Sequence, residues 1–314
     1  MNPEYFQSRY FPFAHTYSIV ARDPETGEMG VGVQSHWFSV GSVVSWGEAG
    51  VGVVATQSLV NVSYGLRGLE LLKQNKTPEE VINILISDDE SKDVRQVAIL
   101  NSQGLVATHT GAKCIKQAGH KIGKNYSVQA NMMLSDKVWP AMATSFEDGN
   151  DLPLPERIIK SLEAAESVGG DIRGKQSAVL LVVAGKPTEN RWEDPKINLR
   201  VEDHREPLKE LKRLLKIFRA YEHMNNGDLA IEKGDMAKAL EEYDTAQKMF
   251  PDNLEMTFWT AVSLANQNQM DKALKLFKSI FKKEKNWRTL AERLPHSELL
   301  NIEAEDMKKI LSLR

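Results

Sequence analysis

Cysteine is all but missing. Cys114 is the only one in 314 residues, which excludes an internal disulfide and any metal site built from several thiolates. It falls in a strand-rich stretch, where a lone cysteine is more often core than nucleophile, so redox chemistry leaves the compartment open. Long apolar runs are missing too: nothing approaches the roughly 18 residues of a membrane-spanning helix. Neither sign of charge dominates, with 40 Lys and Arg against 43 Asp and Glu and a formal net charge of −3. No basic cluster is interleaved with aromatics, so nucleic acid is not an expected partner. A phosphate-binding glycine loop is also absent. Gly30-Val31-Gly32 lies inside a strand pattern, where glycines mark close packing, and no dinucleotide fingerprint follows it. His36, His109 and His120 show no ligand spacing such as H-x-x-x-H, so neither a metal nor a cofactor is expected.

What is present suits a globular chain of about two domains, with 41% apolar and 26% charged residues. Three short apolar pieces come first: Thr16 to Asp23, Met29 to His36 and Gly50 to Ser58. Pro24 and Gly27 separate the first two, so these predict a hairpin and a third strand. Helices are predicted near Tyr64–Lys73 and after Thr77-Pro78-Glu79-Glu80, which has an N-cap, a proline at the first position and acids in the first turn. A hairpin over Arg95–Thr110 and a strand near Ser127–Met132 follow. Helices around Asp136–Glu147 and Pro155–Val168, then a strand over Gln176–Ala184, complete an α+β domain over residues 16–184.

Residues 185–206 turn polar and proline-punctuated, which predicts a linker. The rest, 207–314, reads as all helix. Gly227, Gly234, Ala239, Tyr243, Ala246 and Pro251 have tetratricopeptide spacing, and Ala239 and Tyr243 recur as Ala273 and Phe277, 34 residues on. Asn268 and Lys285 stand in the second copy where Gly and Pro are expected. About two repeats follow, with an entry helix from Pro207 to about Met224 and a closing helix near the end. Such repeats bind peptides or assemble proteins; a helical cap on the first domain is the other reading.

Residues 1–15 form a leader. Glu4, Arg9, Pro3 and Pro12 deny it the basic start and apolar segment of a secretory signal, so a disordered tail is expected. The compartment stays unknown: cytoplasmic, or exported if the true start lies upstream of Met1.

The blocks Thr16-Tyr17-Ser18-Ile19-Val20-Ala21-Arg22-Asp23, Gln34-Ser35-His36, Ala55-Thr56-Gln57-Ser58, His109-Thr110-Gly111, Gln129-Ala130-Asn131-Met132 and Gly174-Lys175-Gln176-Ser177-Ala178, in that order, resemble an uncharacterised branch of the N-terminal nucleophile (Ntn) hydrolases, domain-of-unknown-function family ten-twenty-eight. The resemblance covers roughly 16–205 and implies a four-layer αββα Ntn-hydrolase-like sandwich. It makes Thr16 the nucleophile, whose base is the α-amine freed once the leader is removed. It also implies a loop at Gln57 and Ser58 whose backbone N–H groups receive the oxyanion. Asp171 then orients the amine, and Gln129 and Asn131 lend polar support. Unlike proteasome-type members, this chain has no lysine before Lys73; early positive charge comes from Arg22 and Arg67, unless Lys175 folds back beside Asp171. His36, Asn61, Arg67, His109 and Lys175 are the candidates for holding substrate, with helix capping and surface charge the alternative for Asn61 and Arg67.

Two functions from different classes follow. One is an amide hydrolase acting on a small-molecule or peptide amide through an acyl-enzyme on Thr16, with the helical repeats serving a protein partner or substrate access. The other is a catalytically silent binding or assembly protein on the same scaffold. Substrate and oligomeric state are not encoded in any pattern here.

Overall fold

The computed structural model describes residues 13–187 and 189–313. The expectation of a disordered leader therefore falls, for residues 1–12, outside the described residues. The chain divides into two compact units, up to Arg213 and from Leu214.

In the first unit two antiparallel sheets lie face to face. One runs β1 (Phe13–Ala14), β5 (Gly52–Leu59), β6 (Arg95–Asn101), β7 (Val106–Thr110), with β4 (Ser45–Glu48) also on β5. The other runs β11 (Ile197–Val201), β10 (Ser177–Val183), β3 (Met29–Ser35), β2 (Thr16–Arg22), β9 (Tyr126–Ala130), β8 (Gly119–Gly123). The β2–β3 turn forms because the Asp23 carboxylate accepts the amides of Glu25 and Thr26 and Gly27 takes φ +76°.

Period-two alternation sets what each face meets. Val20, Val31, Val33 and Val179 face Val53, Ala55, Ala98 and Leu100 between the sheets. The outer face of the first sheet, with Val54, Val97 and Ile99, is covered by α1 (Ser63–Lys73) and α2 (Pro78–Ser87). Helix α2 starts sharply because Thr77 and Glu80 form a capping box ahead of Pro78. The other sheet carries α3 (Val138–Asp148) and α4 (Leu154–Ser167) on its outside. The approach is close at Gly32, where a Cβ would lie 2.3 Å from Ile158 Cγ2.

Three expectations need correcting. Phe13 and Ala14 are a strand, held by pairing to Leu59 and Ser58. The expected linker contains β11, whose Ile197 and Val201 are buried while the residues between them are not, an edge strand that charge and proline conceal. Within the stretches 36–48 and 111–126, where the sequence pattern names no separate strand, β4 and β8 extend the two sheets.

The second unit is helical. Helix α5 (Pro207–Glu232) begins before the division and continues beyond it, longer than expected. It is followed by α6 (Met236–Met249), α7 (Leu254–Asn266), α8 (Met270–Lys283), α9 (Asn286–Arg293) and α10 (Ala304–Ser312). Ala239 and Ala273 are fully enclosed, and Tyr243 and Phe277 fill matching core positions. Tyr243 packs on Gly227, and Phe277 meets Phe258 edge-on at 5.7 Å. Gly234 and Asn268 both take positive φ, +73° and +59°. Asparagine tolerates that conformation, so the helix connection survives the lost glycine.

Candidate functional site

The layer between the sheets changes character along β2. Val20 lies among valines, but Ser18 and Thr16, on the same face, meet polar side chains. Ser18 Oγ donates to Gln57 Oε1 at 2.6 Å and accepts from Gln129 Nε2 at 2.6 Å. Gln57 Nε2 and Asn131 Nδ2 both donate to Gln96 Oε1, at 2.6 and 2.9 Å. Gln96 Nε2 in turn donates to Thr110 Oγ1 and to the carbonyls of Ala130 and Gly119. Gln57, Gln96, Gln129 and Asn131 are fully buried. Their amides alternate as donor and acceptor, so the network is satisfied and fixed in sense.

Thr16 closes this network. Its carbonyl oxygen accepts from the Asn131 amide at 3.1 Å, Gln57 Nε2 at 3.2 Å and Asn131 Nδ2 at 3.4 Å. Its hydroxyl donates to the Ala14 carbonyl at 2.9 Å. The peptide between His15 and Thr16 crosses from one sheet to the other, since β1 belongs to the first and β2 to the second. At that crossing the His15 carbonyl oxygen accepts from Ser35 Oγ at 2.6 Å and Arg173 Nη2 at 2.7 Å. Two donors on one peptide oxygen, one of them a guanidinium, polarise that carbonyl.

Arg173 is held by Asp171, with contacts of 3.0 and 2.7 Å to its two carboxylate oxygens. The Asp171 side chain is fully buried and also accepts the amides of Arg173 and His36. The His15 ring is buried, its Nδ1 2.7 Å from Asn131 Oδ1. Because Asn131 Nδ2 donates to Gln96, Oδ1 is the acceptor and Nδ1 carries the proton. Burial pushes the His15 pKa down and the charge of Arg173 adds to this, while the Asn131 hydrogen bond and Asp171 oppose it.

Of the sequence-derived candidates, Thr16, Gln57 and Asn131 meet directly, and Asp171 joins them through Arg173 and the His15 carbonyl. Gln57 and Ser58 are not in a loop. Strand β5 continues through both, paired to β6 and, at Ser58, also to Ala14 of β1, because the strand needs Gln57 pointing inward. Ser58 is buried at φ +75°, with its hydroxyl beside the Cys114 thiol. Nearby, Cys114 donates to the Arg95 carbonyl, and burial pushes its thiol up.

The substrate-holding candidates scatter. His36 and Lys175 line a cavity of about 530 Å3 with Gln176, Asp203, His204 and Arg205. Lys175 does not fold back to Asp171; it pairs with Glu206 and Glu166 at 3.1 and 3.4 Å. His109 Nε2 bonds the Lys92 carbonyl. Asn61 accepts the amide and hydroxyl of Ser63, beside Asp89, and Arg67 pairs with Asp88 at 3.5 Å near the surface. Each of these three is used locally: His109 by a backbone carbonyl, Asn61 by a helix start and Arg67 by an ion pair. The residues missed from sequence are Arg173, Ser35, Gln96 and His15. Asp171-Ile172-Arg173 carried a signal, an acid and a base two apart in a turn, and Ser35 stood within the block Gln34-Ser35-His36. Among the described residues no group of three His, Cys, Asp or Glu side chains is placed to hold a metal ion, and no helix is long and apolar enough to cross a membrane.

A family model described as a family of unknown function, DUF1028, matches residues 16–211. A tetratricopeptide repeat model matches 230–294, a repeat type that suggests protein–protein interaction. A crystal structure of protein SPO2555 from Silicibacter pomeroyi, described under the same DUF1028 model, is 28% identical, with a TM-score of 0.58 over 65% of this chain and 88% of that one. No curated protein matches the chain.

Proposed function

We propose, from the premise that the chain belongs to the DUF1028 family of unknown function, that it is an N-terminal-nucleophile amide hydrolase which first cuts itself before Thr16. A helix pair, two antiparallel sheets and a second helix pair in successive layers are what an Ntn-hydrolase-like sandwich would require, which supports the reading. The observation that carries it is the His15 carbonyl oxygen, bonded to Ser35 and Arg173 directly upstream of a threonine whose own carbonyl is clamped by Gln57 and Asn131.

In self-cleavage Thr16 Oγ attacks the His15 carbonyl carbon. The C–O bond forms, the His15–Thr16 C–N bond breaks, and the hydroxyl proton ends on the released nitrogen. Ser35 and Arg173 stabilise the negative oxygen of the intermediate. Water then hydrolyses the ester, leaving a His15 carboxylate and a Thr16 with free hydroxyl and α-amine. That amine, with a reference pKa near ~8, is the base for later turnovers. Arg173 takes the place of the lysine that proteasome-type members use, and Asp171 holds it in position.

A second reading, a silent binding or assembly protein, is favoured by the complete enclosure of Thr16 and the bond of its hydroxyl to Ala14. Intact-mass spectrometry decides. Loss of residues 1–15 in the parent, with a Thr16→Ala variant left whole, supports the hydrolase. A whole parent chain that no β-lactone probe acylates supports the scaffold.

A further inference from the structure

The segment before Thr16 is seated as an acyl group would be before its amide is cut. Strand β6 pairs with β5 from Gly52 to Ser58, so β1 and β4 share the opposite edge. Strand β4 covers that edge at Gly52–Ala55, and the Val44 carbonyl ahead of it takes the Thr56 amide. This leaves a stretch of edge at its far end, where the backbone of Phe13 and Ala14 pairs with Leu59 and Ser58. Ala14 is fully enclosed in the inter-sheet core with Val60 and Val40, a space cut for a methyl group. The next carbonyl inward meets Ser35 and Arg173, and the next side chain, His15, meets Asn131. On this stretch of edge Ser58 holds a left-handed backbone, the kind of strain that gathers at ligand sites.

We propose that β1 is a resident stand-in for substrate, and that the β5 edge at Ser58–Leu59, with Ser35, Arg173 and Asn131 at its inner end, is an acyl-side subsite for extended peptide-type amides. This rests on the hydrolase reading. Departure of the cut leader returns the main-chain groups of Ser58 and Leu59 to an open sheet edge. An incoming peptide satisfies them by adding a strand, and side-chain pockets supply the selectivity. The acyl-enzyme is the same species in both events, an ester on Thr16 Oγ, so the space that holds the leader's acyl part also holds the substrate's. In turnover Thr16 Oγ attacks the substrate carbonyl and its proton passes through the α-amine to the leaving nitrogen as the C–N bond breaks. Water then releases the acid. The geometry asks for a small residue penultimate to the scissile carbonyl and a polar, imidazole-sized residue at it.

The test uses purified protein and three aminomethylcoumarin amides: acetyl-Phe-Ala-His, acetyl-Phe-Leu-His and acetyl-His. The expected result is that the first exceeds each of the others in kcat/KM by about tenfold or more, as one ill-fitting side chain or a missing strand would cause. Equal hydrolysis of all three, or a β-lactone adduct on Thr16 without hydrolysis of the first, overturns the subsite and leaves the hydrolase standing. A whole chain with no β-lactone adduct overturns both.

Discussion

Arg173 Nη2 lies 2.7 Å from the carbonyl oxygen of His15, across 158 positions of sequence, while the same guanidinium grips the buried Asp171. One cation thus satisfies a buried carboxylate and polarises the peptide bond ahead of Thr16. The Asp171 carboxylate could not be buried without this partner, since an unpaired charge in that position costs several kcal/mol.

Removing a single donor to the His15 oxygen should slow self-cleavage. Ser35→Ala is the gentler change, because it leaves the Asp171–Arg173 pair whole, and about 10²-fold slower release of the leader is expected from losing one such donor. Arg173→Ala should stop cleavage but also unpair Asp171, so its fold needs checking by circular dichroism. Time-resolved intact mass reads both. Unchanged cleavage in Ser35→Ala would remove this serine from the mechanism.

Gln96 is the hub of the amide network, accepting from both Gln57 and Asn131. Gln96→Leu keeps the volume roughly and removes the acceptor, leaving two buried N–H groups orphaned at about 1–3 kcal/mol each. Urea denaturation should show that loss with an unchanged m-value, and cleavage before Thr16 should slow because both clamps on its carbonyl lose their orientation. A variant as stable as the parent would mean that the amides find other acceptors.

Gly32 sits where α4 presses on β3, with Ile158 Cγ2 only 2.3 Å from where a Cβ would stand. Gly32→Val should therefore cost about 1–3 kcal/mol by overpacking, even though valine favours strands. Shortening the neighbour in a Gly32→Val/Ile158→Ala pair should return part of that loss, a coupling of about 0.5–3 kcal/mol in a double-mutant cycle. Strict additivity of the two single changes would refute the contact as the cause.

How much was legible follows from how each feature is encoded. The strands β2, β3 and β5 announce themselves because they are apolar on both faces, and the tetratricopeptide helices do so because Ala239/Ala273 and Tyr243/Phe277 repeat at packing positions. Thr16, Gln57 and Asn131 could be named because they stand within recognisable blocks. Their meeting is a property of sheet stacking, and period two alone does not say which polar residues face across. Arg173 escaped because a turn residue two after an acid reads as surface, and its carbonyl partner has no side-chain signature at all. Strand β11 escaped because only Ile197 and Val201 are buried and its neighbours are charged. Asn61 and Arg67 looked like ligands for the same reason they cap and pair: their chemistry is general, and local partners take it first.

The buried ring of His15 makes the uncut chain sensitive to acid in a defined direction. Burial and Arg173 lower its pKa in the folded state below the ordinary 6.5. The unfolded chain therefore binds a proton first as pH falls, and by linkage this favours unfolding. The contribution is fully present above about pH 6.5. It is lost as pH drops from there towards the folded value, after which it levels off. To keep His15 attached, the comparison is best made between Thr16→Ala and Thr16→Ala/His15→Gln. His120, also lowered by burial and by His109, is common to both and cancels in the difference. Melting temperatures at about pH 7.5 and about pH 5.5 should show the larger fall for the chain that retains the imidazole. Equal falls would mean that the ring is protonated in place, and Asn131, Arg173 and Asp171 would then need a different arrangement around the peptide before Thr16.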